Sequence, residues 1–208
     1  MVNEVYEAQQ YLAGENINRT NLYRICYLLI SLFKNQGYKR TEIRDMVFAW
    51  GSKNKITVEY DVNSIINRVF DIDNLSLSAP IIKINKQDIY AINKLFDNEK
   101  VRLVALAILC YAKAHANKKG EFYVSSVGLG AWLGINRKTL RSRYIKELID
   151  FEYLVEVEKY KNNNKWNDSY DKQSTKYRLN TSLHNSGEFV LRDNDVRKLF
   201  SEVFFSPY

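Results

Sequence analysis

Apolar residues recur at helical spacing along most of the chain, and polar breaks divide it into short elements. The first periodic stretch covers residues 2–13 and stops at Gly14. Asn18 or Thr20 is placed to cap the next helix, where Leu22, Ile25, Cys26, Leu29, Leu32 and Phe33 share one face and Gly37 supplies the stop. Thr41 and Glu42 open a third helix with Ile43, Met46, Val47 and Trp50 along one side, closed by Gly51 and the polar run 52–55. A fourth helix, 61–70, carries Val62, Ile65, Ile66 and Val69. Residues 74–80 read as a linker, 81–84 as a short strand, and Asn85 caps a helix over 86–96 with Ile89, Ile92 and Phe96 inward.

The second half has a more specific layout. Asp97 or Asn98 caps a helix bearing Val101, Val104, Ala105, Ile108, Leu109 and Ala112, and Lys118-Lys119-Gly120 breaks it. Residues 121–124 alternate like a strand, and Ser125 or Ser126 caps the helix that follows. The run from Leu129 to Leu140 then reads as two helices around a tight turn. Ala131 is small enough for a helix crossing, Gly134 supplies a left-handed residue, Ile135 packs beneath, and Asn136 caps the second helix, which extends to about Asp150. Strands are expected at 153–159 and 175–179, with the polar stretch 160–174 between them.

At 100° per residue, Leu140, Tyr144, Leu148 and Phe151 fall on the core side of the second helix. Lys138, Ser142 and Lys146 form an outward row. Thr139 and Arg143 flank that row on one side, Arg141 lies at the other boundary, and Ile149 also points outward. A helix presenting such groups fits a DNA major groove, with cations near phosphates and Arg or Lys able to reach guanine O6 and N7. The expected DNA-binding set is Arg137, Lys138, Thr139, Arg141, Ser142, Arg143 and Lys146, joined by Lys161, Lys165 and Lys172 of the interstrand stretch. Lys159 and Lys176 add charge there, and Trp166 and Tyr170 are placed to stack or to pack.

This succession of helix, short strand, two helices and hairpin, over about residues 98–180, resembles the winged helix-turn-helix family. The resemblance implies a DNA-binding domain whose second helix enters the major groove, although the wing tip is long for the family. Residues 18–71 resemble the helical domain found C-terminal to the catalytic domain of phage and plasmid primases. That likeness rests on the long apolar helix, Gly37-Tyr38 with Glu42-Ile43, Trp50, and the Val62, Ile65, Ile66, Val69 pattern. The segment Ile56-Thr57-Val58-Glu59 lacks the proline that commonly precedes the last helix in that family. The domain is an accessory there, so no active site carries over. The expected organisation is 1–74, an N-terminal helical domain; 75–96, a linker with a short strand and helix; 97–180, the winged-helix DNA-binding domain; and 181–208, a C-terminal helix and tail. The fold class is mainly α, with a small β wing.

Charge sharpens this picture. The chain has 208 residues and a net charge of +7. Residues 1–75 carry nine basic and nine acidic groups, whereas 118–180 carry thirteen and eight. The basic excess therefore coincides with the expected DNA-binding region. Twenty-one asparagines, with abundant Lys, Ile and Tyr, point to A/T-rich codons and a low-GC bacterium or one of its mobile elements.

Other chemistries find less support. Asp71-Ile72-Asp73 after Val69-Phe70 could set two carboxylates on one side of a strand, as two-metal enzymes require, but a third carboxylate and phosphate-binding groups are not in view. His115 and His184 are isolated, and there is no HExxH, CxxC, GxxxxGK[ST] or GxSxG. Cys26 and Cys110 sit in apolar runs without paired spacing, which suggests a reducing, cytoplasmic setting. The start, Met1-Val2-Asn3-Glu4, does not read as a signal peptide, and the apolar run 101–112 is well short of the roughly 20 residues a membrane span needs.

The expected function is duplex DNA binding in a phage, plasmid or island, in replication initiation or its control. It is not an enzyme, and no cofactor or metal is expected. The alternatives are a transcriptional repressor, a protein-binding inhibitor or loader of a host enzyme, and a metal-dependent nucleotidyl enzyme using Asp71 and Asp73. Expected partners are double-stranded DNA and a replication protein, with no membrane. Val196, Leu199, Phe200, Val203 and Phe204 follow a cap at Asp193 or Asn194 at helical spacing. That apolar tail must dock, either on its own chain or on a second copy to form a homodimer.

Overall fold

The computed structural model describes residues 2–17, 21–58, 62–158 and 174–205. It is mainly helical, with small antiparallel sheets, and divides into two compact units: residues 3–79, and residues 80–208 together with 1–2.

The first unit contains four helices. Helix α1 (Glu4–Ala13) is capped by Asn3, whose side chain accepts from the Tyr6 N–H at 2.9 Å, and ends at Gly14 in the left-handed conformation. Helix α2 (Leu22–Asn35) is flanked by α1, α3 and α4, so Leu28 and Ile30 are buried as well as the expected face. The proposed caps Asn18 and Thr20 lie outside the described residues; Asn21 precedes the helix without a side-chain cap bond. Helix α3 (Arg40–Lys53) begins where Glu42 accepts from the Lys39 N–H at 2.7 Å. It ends at Lys53, within the polar run 52–55, and Gly51 lies in its last turn, where Val58 and the Ile56 carbonyl pack so closely that a Cβ would lie 2.6 Å from Val58 Cγ2. Helix α4 (Val62–Phe70) buries Val62, Ile65, Ile66 and Val69, and Lys34 Nζ donates to the carbonyls of Val69 and Ile72 at its end. The indole of Trp50 donates to the Tyr11 carbonyl at 2.7 Å, tying α3 to α1.

The second unit begins earlier than expected. Strand β1 (Ile82–Ile84) and helix α5 (Lys86–Leu95), expected within a linker, belong to its core, which buries Ile82, Ile84, Ile89, Ile92 and Phe96. β1 pairs antiparallel with β5 (Phe189–Leu191), with Ile82 opposite Leu191 and Ile84 opposite Phe189. Asn85 and Asp88 cap α5 reciprocally. Helix α6 (Glu99–His115), capped by Asn98, is apolar on nearly every side and lies at the centre of the unit.

Strand β2 (Glu121–Ser125) leads into helix α7 (Ser126–Leu133). The next helix, 137–150, has three parts: α8 (Arg137–Thr139), a π segment (Leu140–Ile145) and α9 (Lys146–Asp150). Strands β3 (Leu154–Glu158) and β4 (Ser174–Leu179) complete a three-stranded antiparallel sheet in the order β2-β4-β3. Phe122 and Tyr177, and Leu154 and Leu179, face each other on its buried side.

Helix α10 (Val196–Phe205) packs on α6 and β5, burying Val196, Leu199, Phe200 and Val203 in its own chain. The apolar surface that motivated a tail-mediated homodimer is therefore satisfied internally. Its N-cap is Asp195 rather than Asp193 or Asn194: the Asp195 carboxylate accepts from the Lys198 N–H at 3.0 Å.

Candidate nucleic-acid interface

The turn before helix 137–150 is built by local chemistry. Ser125 Oγ accepts from the Gly128 N–H at 2.9 Å and starts α7. Gly134 adopts φ 59°, and the Asn136 side chain accepts from the Lys138 N–H at 2.9 Å to start the next helix. The close crossing falls at Gly130 and not at Ala131, which is exposed. A Cβ on Gly130 would lie 2.7 Å from the Ile135 carbonyl oxygen, so a side chain there would push the two helices apart.

The π segment changes the faces of the helix. Its i→i+5 bonds place more residues in each turn, so later positions lag the 100° progression. Ile145 is buried beside Leu140, Tyr144 and Leu148, and Ile149, expected outward, is half-buried against the core. Phe151 does not follow the core side. It lies beyond the helix end, 53% exposed, with its ring edge-on to Phe96 at 5.7 Å.

Arg137, Lys138, Thr139, Arg141, Ser142, Arg143 and Lys146 are all exposed. None of the five cations among them makes an ion pair with a described carboxylate. The neighbouring sheet differs: Lys176 lies 3.6 Å from both Glu121 and Glu158.

An open groove of about 620 Å³ runs between helix 137–150 and the sheet. Arg137, Lys138, Arg141, Ser142 and Lys146 line it. Ile145, Ile149 and Tyr177 contribute apolar lining, and Glu156 is the one carboxylate along it among the described residues. Burial pushes the Tyr177 phenol above its ordinary value, partly offset by a hydrogen bond with Thr175 and the positive charge of Arg141, so it is neutral at physiological pH. Arg143 lies outside the groove, with its guanidinium 5.7 Å from the centre of the Tyr144 ring.

Lys161, Lys165 and Lys172, with Lys159, Trp166 and Tyr170, lie outside the described residues. Sequence reasoning did not single out Ile145, Glu156 or Tyr177 as groove residues. Strand alternation through β4 offered a signal for Tyr177, but no local pattern announced the π segment that turns Ile145 and Ile149 inward.

The C-terminal segment braces this region. The Trp132 indole donates to the Asn194 carbonyl at 2.6 Å, and Asn194 Oδ1 accepts from the Val2 N–H at 3.0 Å. Arg197 donates to the Leu133 carbonyl at the end of α7.

The other candidate groups have structural settings. Asp71 is 73% exposed and faces Arg40 at 3.8 Å, and no group of three potential ligands for a metal occurs among the described residues. Burial pushes the thiol of Cys26 up to about 11 and that of Cys110 up to about 12, which leaves both protonated and unreactive. His115 ends α6 with its ring 4.5 Å from that of Tyr111, and the His184 carbonyl accepts from Lys113. Among the described residues no helix is long and apolar enough to cross a membrane.

Comparison with family models, with curated proteins and with solved structures finds no match to this chain.

Proposed function

We propose that this chain is a duplex DNA-binding protein that lays helix 137–150 in the major groove. The observation that carries the reading is the set of five exposed cations on that one helix, none in an ion pair with a described carboxylate: Arg137, Lys138, Arg141, Arg143 and Lys146. Five cations against two carboxylates, Glu147 and Asp150, leave the helix with an excess of positive charge that a polyanion neutralises. Thr139, exposed outside the groove, adds a neutral hydrogen-bonding group suited to base edges, and Ser142, in the groove lining, adds one suited to phosphate.

Support also comes from the order of parts. Helix α6, strand β2, helix α7, helix 137–150 and strands β3 and β4 follow one another as in a winged helix, and β2 pairs with β4 as such a layout requires. The process served is replication initiation or its control on a mobile element, with the 3–79 unit as the contact for a replication protein. That part rests on the primase-like pattern of residues 18–71 and the A/T-rich residue usage.

The test is equilibrium binding of the whole chain to labelled duplex across a salt series, followed by footprinting on DNA from its own gene neighbourhood. Four phosphate contacts predict a loss of roughly 150-fold between 50 and 200 mM salt, from a slope of about −0.9 per contact. A chain that binds no duplex at low salt, or binds without salt dependence, overturns the reading.

A further inference from the structure

Resting on the duplex-binding reading above, we infer that the cations of helix 137–150 divide their labour. Arg137, Lys138, Arg141 and Lys146 hold one phosphodiester strand in the groove beside the sheet, while Arg143, with Thr139, reads base edges. Among the described residues the four groove cations face one carboxylate, Glu156, and share a recess between the helix and strands β3 and β4. Arg143 and Thr139 are exposed and lie outside that recess.

Shape decides between the two tasks. A duplex presents its phosphates on ridges and its base edges at the floor of a major groove roughly 12 Å wide and 8.5 Å deep. A recess in the protein receives a ridge, so its lining meets phosphate. Base edges are met only by side chains that project from the helix into the DNA groove. Several flexible cations suit a continuous line of phosphates, which asks for charge more than for geometry. Reading guanine asks for one planar guanidinium held in place, and Arg143 is braced against the Tyr144 ring, itself buried in the core.

Helical geometry produces this division: two positions apart, Arg141 and Arg143 point to nearly opposite sides of the helix, and only Arg141 lines the recess.

The experiment uses the full chain and a duplex selected from a randomised library, with a scrambled duplex as reference. Arg141→Ala and Lys146→Ala are expected to weaken both duplexes by the same factor and to lower the salt slope by about one unit each. Arg141→Lys, which keeps the charge, restores both. Arg143→Lys also keeps the charge, so it leaves the salt slope intact but reduces selected-over-scrambled preference by roughly 5- to 150-fold. All three positions are exposed, and an unchanged circular dichroism spectrum and melting curve confirm the fold of each variant. Loss of preference in Arg141→Lys together with retained preference in Arg143→Lys overturns the division while leaving duplex binding standing. A parent chain that binds neither duplex overturns both.

Discussion

Arg197, on the C-terminal helix α10, donates through its guanidinium to the carbonyl of Leu133, the last residue of α7. The carbonyls at a helix end lack intrahelical partners and carry the negative end of the dipole, so a cation is well placed there. Through this contact the tail fixes the turn that aims helix 137–150. Arg197→Ala is expected to destabilise the 80–208 unit by about 1–3 kcal/mol. Duplex affinity should also fall, because the turn is less ordered. Chemical denaturation and duplex titration check the two effects. Affinity lost without any change in stability would instead make Arg197 a direct DNA contact.

Lys113 and Asp88 form the most buried ion pair among the described residues, at 2.8 Å with side chains 0% and 6% exposed. The remaining donors of the ammonium reach the carbonyls of Lys83 and His184, both at 2.9 Å. One side chain of α6 thereby joins β1, α5 and the segment before β5. Lys113→Met strands the Asp88 charge and is expected to cost about 3–5 kcal/mol, whereas Lys113→Met with Asp88→Asn recovers much of the loss. Urea midpoints of the two variants decide it; equal midpoints would show that charge stranding is not the source of the cost.

Gly130 meets the Ile135 carbonyl where a Cβ would have 2.7 Å. The obstacle is backbone, which cannot rotate aside, so Gly130→Ala is expected to destabilise the unit by about 1–3 kcal/mol despite alanine's better helix propensity. Ala131→Ser, one position along on the exposed side, should fall within about 0.5 kcal/mol of the parent. Thermal melts of both variants test the placement of the crossing.

The features legible in the sequence are those fixed by local chemistry. Asn85, Asn98, Ser125 and Asn136 cap helices because a side-chain oxygen reaches N–H groups two or three residues on, a rule that needs no knowledge of the rest of the chain. Gly134 is legible for the same reason. Strand β5 is not legible in the sequence, because its pairing with β1 joins segments on either side of the whole second core, and three residues carry too little alternation to announce a strand. The exposed cations of helix 137–150, and the separation of Arg141 from Arg143 and Thr139, follow from a 100° count. The inward turn of Ile145 and Ile149 does not, because the π segment at Leu140–Ile145 is set by packing and a uniform 100° count cannot contain that shift.

Glu7 is 3% exposed, accepts from Arg24 Nε at 3.0 Å and Nη2 at 2.9 Å, and accepts from the Tyr11 hydroxyl at 2.8 Å. Burial raises its pKa, but the hydrogen bond and charge of Arg24 and the Tyr11 bond outweigh that and bring it down to about 2. A depressed carboxylate stabilises the fold above its unfolded pKa, near 4.3, and the contribution is lost as pH falls through the folded value. The 3–79 unit should therefore lose on the order of 2–3 kcal/mol through this group between about pH 5 and pH 2. Glu7→Gln should lower stability at neutral pH and flatten the dependence across the same window. Other carboxylates titrate there too, so the difference between parent and variant is the readout. The Trp50 indole proton, hydrogen-bonded to the Tyr11 carbonyl, gives a nuclear magnetic resonance signal specific to this unit. Parallel pH profiles for the two chains would show that Glu7 does not govern the acid response.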